Sequence, residues 1–463
     1  MESNWKQRLL WGINIVLGIC AVGICIMKFQ LQENTIVEAN YIGDVESENR
    51  KRTKEKEGKE IEEPKNVTTG ELTDQSRVRV LIETTDFDSI YHDKISVSAK
   101  GGLQLIYKID EKECKHIVQD NKKLEIDASC SYIQDGSVRI TPCKEGEWIT
   151  VCNIERGHGN PAYENALEIY KEDKKIVLVN EIKVDQYLRG VLPSEMPSSY
   201  EEEALKAQAV AARSYAYMHL KEYAYPEYKA HVNDSTDFQV FNNTSQNKSS
   251  NKAVESTRDE KVMLRDEIAT TYFFSTSCGH TTDVNAWGEK VSDKTSHLQG
   301  KVIAKESGTD KYQYYEEDMP WFKWSVVLSK VELKEILENN LNKKIGTIKN
   351  IEIVEKGVGG IVTALEVEGS QQKVVIKTEY DIREALGSTQ YHILRQDGSK
   401  VRGRTLLPSA FFDITVKDEV VISGGGFGHG IGMSQTGANE MAKTGMGYKQ
   451  ILQVFYTGIE VKA

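Results

Sequence analysis

A surplus of basic residues is missing from this 463-residue chain: 59 Lys and Arg stand against 70 Asp and Glu, for a formal net charge of −11. Nucleic-acid binding needs a basic face, so nucleic acid is excluded as the main partner, and an uncharged or mixed-charge polymer such as a polysaccharide is easier to accommodate. A Gly-Lys-Ser/Thr phosphate loop and Rossmann glycine spacing are also missing, which weakens any nucleotide reading. No Cys/His set is complete enough for structural zinc. The composition is that of a soluble globular protein with an appendage, long enough for two or three domains.

Long apolar runs are confined to residues 9–27, apolar apart from Asn14. That length suits one bilayer-crossing helix, and Lys6 and Arg8 before it favour a cytoplasmic N-terminus with the body exported. No Ala-x-Ala site follows Met27, so an uncleaved anchor is expected rather than a signal peptide. The expected localisation is therefore the cell membrane, single-pass, with residues 1–8 cytoplasmic and the C-terminal body extracytoplasmic. Residues 28–76 have almost no large apolar side chains and a dense mixed-charge run, and are expected to form a disordered tether.

Structured sequence is expected from Arg77. Strand-like alternation at 78–82, 94–97, 103–107, 137–141, 148–152, 167–170 and 175–179 predicts a β-rich leader lobe over 77–180. From 181 to 463 the pattern becomes a mixed α/β domain with a cleft, so the fold class is α+β. Ser199 and Glu202 are spaced as a capping box ahead of a helix at 203–222, whose Leu205, Ala209, Ala212, Ala216 and Leu220 form a small-residue buried face. Cys114, Cys130, Cys143 and Cys152 lie in the leader lobe, an even number in an exported domain; one or two disulfides and four free thiols are both open.

Chemistry concentrates at three places. Glu195 lies in Pro193-Ser194-Glu195-Met196-Pro197, where two rings stiffen the backbone around a carboxylate as a general acid requires. The plainer alternative is an acid near a helix start, gaining from the dipole. Gln208 and Arg213, five positions apart and so about 140° round a helix, cannot both face Glu195. The second place is Ser275-Thr276-Ser277-Cys278-Gly279-His280, whose polar groups are expected to line a groove, with Trp287 as a flat stacking surface. The third is the stretch 423–437, with seven glycines in fifteen positions, a rigid turn presenting His429 and Gln435.

These motifs, together with Ala204-Leu205-Lys206-Ala207-Gln208-Ala209-Val210-Ala211-Ala212-Arg213, resemble the stage II sporulation protein D family from about Ile182 to the C-terminus. The resemblance implies a peptidoglycan lytic transglycosylase acting during forespore engulfment, on glycan stripped of stem peptides. It carries the catalytic acid over to Glu195 and the helix arginine to Arg213; Gln208, Ser277, His280, His429 and Gln435 are the other expected substrate-binding residues. A membrane-bound amidase and a membrane scaffold of the engulfment machinery are the implied partners. One carboxyl suffices for such an enzyme, whereas an ordinary glycosidase uses two; Asp234, Asp237, Asp283 and Glu289 are candidates for a second. Some relatives bind zinc with Cys and His near the stretch His231 to Phe241, but no cysteine occurs there, so no metal or cofactor is expected; were zinc bound, His231, Cys278 and His280 would be the residues to test. The alternatives are a non-catalytic glycan-binding scaffold and a zinc amidase using His280 and His429.

Overall fold

The computed structural model describes residues 72–305 and 312–463. Its largest sheet has seven strands, ordered Val232–Asn233, Arg77–Ile82, Lys175–Lys183, Ala166–Glu172, Ser137–Pro142, Leu103–Ile109 and Lys112–Val118. All neighbours are antiparallel except the first pair, where Val80 and Leu81 run parallel to Val232 and Asn233. Lys175–Lys183 is central, and its run Ile176, Val177, Leu178 and Val179 is buried throughout, as a strand covered on both faces requires. Lys112–Val118 is the opposite edge; its exposed Lys112, Glu113 and Lys115 discourage pairing with another chain. One sheet thus joins strands before residue 181 to a segment well after it.

The described helices are α1 (Val184–Glu195), α2 (Glu202–His219), α3 (Lys248–Ser256), α4 (Lys330–Leu341), α5 (Glu379–Leu386), α6 (Gln435–Lys443) and α7 (Tyr448–Phe455). The sequence-predicted face of α2 is buried, but so are Ala207, Val210, Ala211, Tyr215 and Tyr217 on its other sides. Its alanines let α1, α3, α6, α7 and the strand Lys261–Leu264 all approach it, so α2 is a central helix. The Ser199/Glu202 capping box is not formed. Glu201 is the N-cap without a side-chain cap, and the first turn is held instead by tertiary bonds, with Glu201 N–H donating to Asn439 Oδ1 at 2.9 Å and Tyr448 N–H to Glu203 Oε2 at 2.8 Å.

Two expectations need correction. The described residues form a mixed α/β fold in which no helix is long and apolar enough to cross a membrane. Among them α2 is the longest at 18 residues, and Glu202, Glu203, Lys206 and Arg213 disqualify it. The anchor expected at 9–27 lies outside the described residues, so the single-pass fold class and localisation have no support. Leu72 and Asp74, assigned to the tether, are buried, so ordered chain begins before Arg77. Cys114, Cys130, Cys143, Cys152 and Cys278 are all free thiols.

Candidate functional site

Glu195 is the last residue of α1. The helix stops there because Met196 precedes Pro197, which disfavours α geometry, and Met196 is extended at φ −135°, ψ 135°. The carboxyl is 1% exposed. Its Oε1 accepts the Val240 N–H at 2.6 Å, while Oε2 has no hydrogen-bond partner. Burial pushes its pKa up to about 8, against the smaller opposing pulls of the Val240 N–H and of Gln435. The helix C-terminus works in the same direction, because its partial negative charge disfavours a carboxylate. The plainer reading of an acid assisted by a helix start is thereby reversed.

Val240 is held in place by its neighbours. Phe241 N–H donates to Asp234 O at 3.1 Å and Asn242 N–H to Gly190 O at 3.1 Å. Ser194, beside the glutamate, donates to Gly190 O at 2.8 Å and accepts from Asn243 N at 3.0 Å and Thr244 N at 3.1 Å. Asp234 forms a buried pair with Arg156 at 2.6 Å and accepts Glu83 N–H at 2.9 Å, tying this segment to the large sheet. A Cβ at Gly190 would come within 2.5 Å of the Phe241 ring. Gly190→Ala is therefore expected to cost about 1–3 kcal/mol by overpacking, read as a lower denaturation midpoint.

Gln435 and Gln239 lie beside the groups that meet the carboxyl, and a third buried glutamine, Gln208, lies on α2. Gln435, at the start of α6, is close enough to lower the Glu195 pKa, yet neither of its amide atoms has a well-formed hydrogen bond. Gln239 is adjacent to Val240 and donates to Ala212 O at 3.4 Å, with its own Oε1 unpaired. Gln208, one turn before Ala212 on α2, is fully buried with both amide atoms unpaired. Unpaired buried amides cost about 1–3 kcal/mol each, so the free polar atoms of these side chains suit water or a polar ligand.

Arg213 lies elsewhere. Its Nε pairs with Asp74 Oδ1 at 2.6 Å, and its other nitrogens reach Val254 O at 3.0 Å and Glu260 O at 3.2 Å, with the guanidinium itself fully buried. Arg213 is thus committed to Asp74 and to backbone carbonyls, while Gln208 is buried on another side of α2. His429 is 1% exposed; Nε2 donates to Phe273 O at 3.0 Å and Nδ1 accepts Ile431 N–H at 3.0 Å, a tautomer assigned from this bonding pattern. Both nitrogens serve the backbone, which leaves none for a metal or a substrate proton. Trp287 is 7% exposed, donates to Glu379 at 2.8 Å and packs on Tyr272 and His429, so it is core and not a stacking surface.

His280 is half-buried beside Tyr314, and burial lowers its pKa. His231 accepts the Arg79 N–H at 3.0 Å, and burial drops its pKa to about 3. Burial pushes the Cys278 thiol up to about 12, far from a thiolate. Among the described residues no three His, Cys, Asp or Glu side chains gather as a metal-ligand set. Ser277 turns to a carboxyl that sequence reasoning missed, Glu316: Oε1 accepts Ser277 N–H at 2.8 Å and Ser434 O–H at 2.6 Å, and Oε2 accepts the Ser277 hydroxyl. A groove of about 500 Å³ lies between α4 and α5, lined by Glu335, Asn339, Glu384 and Gln390, and touches none of these residues.

Residues 172–264, which hold Glu195, Gln208 and Val240, match a family model described as stage II sporulation protein, SpoIID. Residues 273–432 match a model described as a domain of unknown function. The chain is 30% identical to an uncharacterized protein of Brachyspira hyodysenteriae over 301 residues, 65% of this chain and 72% of that one. It is 29% identical to the amidase enhancer of Bacillus subtilis over 290 residues, 58% of this chain but only 39% of that protein. It is 27% identical to stage II sporulation protein D of Bacillus subtilis over 298 residues, 61% and 75% of the two chains. The helix that ends on a buried glutamate therefore sits within a matched span, and the relatives extend the likeness well beyond it: this chain belongs to the SpoIID family.

Proposed function

We propose that the protein is a lytic transglycosylase that cuts peptidoglycan glycan strands with Glu195 as its single acid and base. Membership of the SpoIID family supports a sporulation role at the cell wall. The observation that carries the chemistry is the state of Glu195: a carboxyl held by one backbone N–H, pushed by burial to a pKa of about 8, with Oε2 unpaired and the Gln435 amide close by. The Oε2 proton passes to the glycosidic oxygen as the C1–O bond breaks. The resulting carboxylate then takes the proton of the sugar's own C6 hydroxyl while that oxygen bonds to C1, closing a 1,6-anhydro ring. Glu195 ends as it began, and no second carboxyl or water is needed. Gln208, Gln239 and Gln435 supply amide donors and acceptors for sugar hydroxyls.

An amidase that strips stem peptides would supply the bare glycan, a link supported by the likeness to the amidase enhancer. The likeness to an amidase enhancer also favours a second reading, in which the same residues grip glycan without cutting it and stimulate an amidase. Incubating the full chain with peptide-free glycan decides between them: 1,6-anhydro ends support the enzyme, and binding without products supports the scaffold. The pH profile adds a check. Because the acid must be protonated, kcat/KM is expected to fall as pH rises through about 8, and an alkaline limb near pH 4 to 5 would remove Glu195 as the acid.

A further inference from the structure

Glu316 is 0% exposed and stands at the start of α6, whose first residue is Gln435. Ser434, the N-cap, donates its hydroxyl to Glu316 Oε1 at 2.6 Å and accepts the Gly437 N–H at 3.1 Å with the same oxygen. The serine can do both only if its proton points at the carboxyl, so Glu316 sets the orientation of the cap. From the other side Glu316 holds the Ser277 N–H and hydroxyl, and Ser275 O receives the Thr436 N–H at 2.9 Å. Gly437 has to be glycine for this approach, since a Cβ there would come within 2.8 Å of Glu316 Oε2. The first turn of α6 is thus clamped immediately on both sides of Gln435.

We propose that Glu316 is a positioning residue that fixes the first turn of α6 so that the Gln435 amide stays against the Glu195 carboxyl. The inference rests on the reading of Glu195 given above, and concerns what sets that acid's strength. Gln435 favours the ionised form of Glu195, so releasing it raises the Glu195 pKa. The other groups acting on Glu195 are the Val240 N–H and the nearby Tyr187, neither of which touches Glu316. Those acting on Glu316 are Ser277, Ser434 and, by charge, Glu440; Cys278 and Tyr200 feel its charge in turn.

The test uses the full chain carrying Glu316→Gln, which keeps the size of the side chain but can no longer accept all three bonds. The expected result is a fall of about 10- to 100-fold in kcat/KM, as for a displaced group beside the reacting atoms. The alkaline limb of the kcat/KM profile moves to higher pH, and a carboxyl-carbon NMR titration of Glu195 shows the same upward move. A role in stability alone would lower the folded fraction and leave that titration in place. Ser434→Ala, which removes one of the three bonds, serves as the second variant and is expected to move the titration in the same direction. An unmoved Glu195 titration in both variants overturns the proposal. The titration is read without turnover, so it separates this outcome from failure of the enzyme reading, which an active Glu195→Gln protein would signal.

Discussion

Glu195→Gln is expected to lower the release of 1,6-anhydro ends by about 10²- to 10⁴-fold, the usual worth of a positioned acid and base. The amide keeps the shape of the side chain, and its oxygen can still accept the Val240 N–H, so binding of glycan should survive the loss of cutting. The same substitution is expected to stabilise the protein above neutrality. In the unfolded chain Glu195 gives up its proton at the ordinary carboxylate value, whereas burial raises the folded value to about 8. Between those values the folded state holds a proton that the unfolded state does not, so stability falls as pH rises through that window. Glutamine carries no such penalty. Thermal melts should show a higher Tm for the variant at pH 8 and no difference below about pH 4. A variant that cuts glycan at the normal rate would end the proposed mechanism; one that melts lower at pH 8 would contradict the buried, protonated state.

Arg213→Met is expected to cost about 3–5 kcal/mol of stability, because it strands Asp74 as a buried, uncompensated charge. The Asp74 carboxylate would keep only the Tyr217 hydroxyl at 3.1 Å, and the Val254 and Glu260 carbonyls would each lose a donor. The effect should be read in urea as a shift of midpoint, with KM for glycan unchanged in the fraction that remains folded. A folded variant of normal midpoint with a raised KM would instead return Arg213 to the substrate. The fully buried ion pair at 2.6 Å gives the guanidinium no room to serve both roles.

Much of the site was legible from local chemistry. The two prolines around Glu195 marked a fixed carboxyl; Pro193 lies within α1 and Pro197 ends the helix on the glutamate, so no turn is built around it. The alanine periodicity of α2 showed a buried face; it could not show that five elements crowd in from all sides, because alanine is equally silent wherever it points. Gln208 and Arg213 were separable by helical angle, but the burial of Arg213 depended on Asp74, a residue in a segment whose composition resembled a solvated tether. A glycine-rich turn suggests a presented His429, yet the Phe273 carbonyl and the turn's own Ile431 N–H occupy both ring nitrogens. Glu316 was invisible in a run of Glu and Asp that any local rule assigns to solvent. Its burial depends on Ser277 and Ser434, both far away in sequence.

The parallel pairing of Val80 and Leu81 with Val232 and Asn233 has a consequence for how the protein comes into being. The backbone that grips Glu195 follows directly from that pairing, so the acid's surroundings are assembled by a contact of high sequence separation, the kind whose loop closure slows folding. During synthesis the first strand must wait for the whole of α1 and α2 to leave the ribosome before its last neighbour arrives. A fragment trimmed to the span between residues 172 and 432, although it keeps most of the recognisable motifs, would lose the strand Arg77–Ile82 on which that neighbour docks, and with it the ordered setting of its own acid.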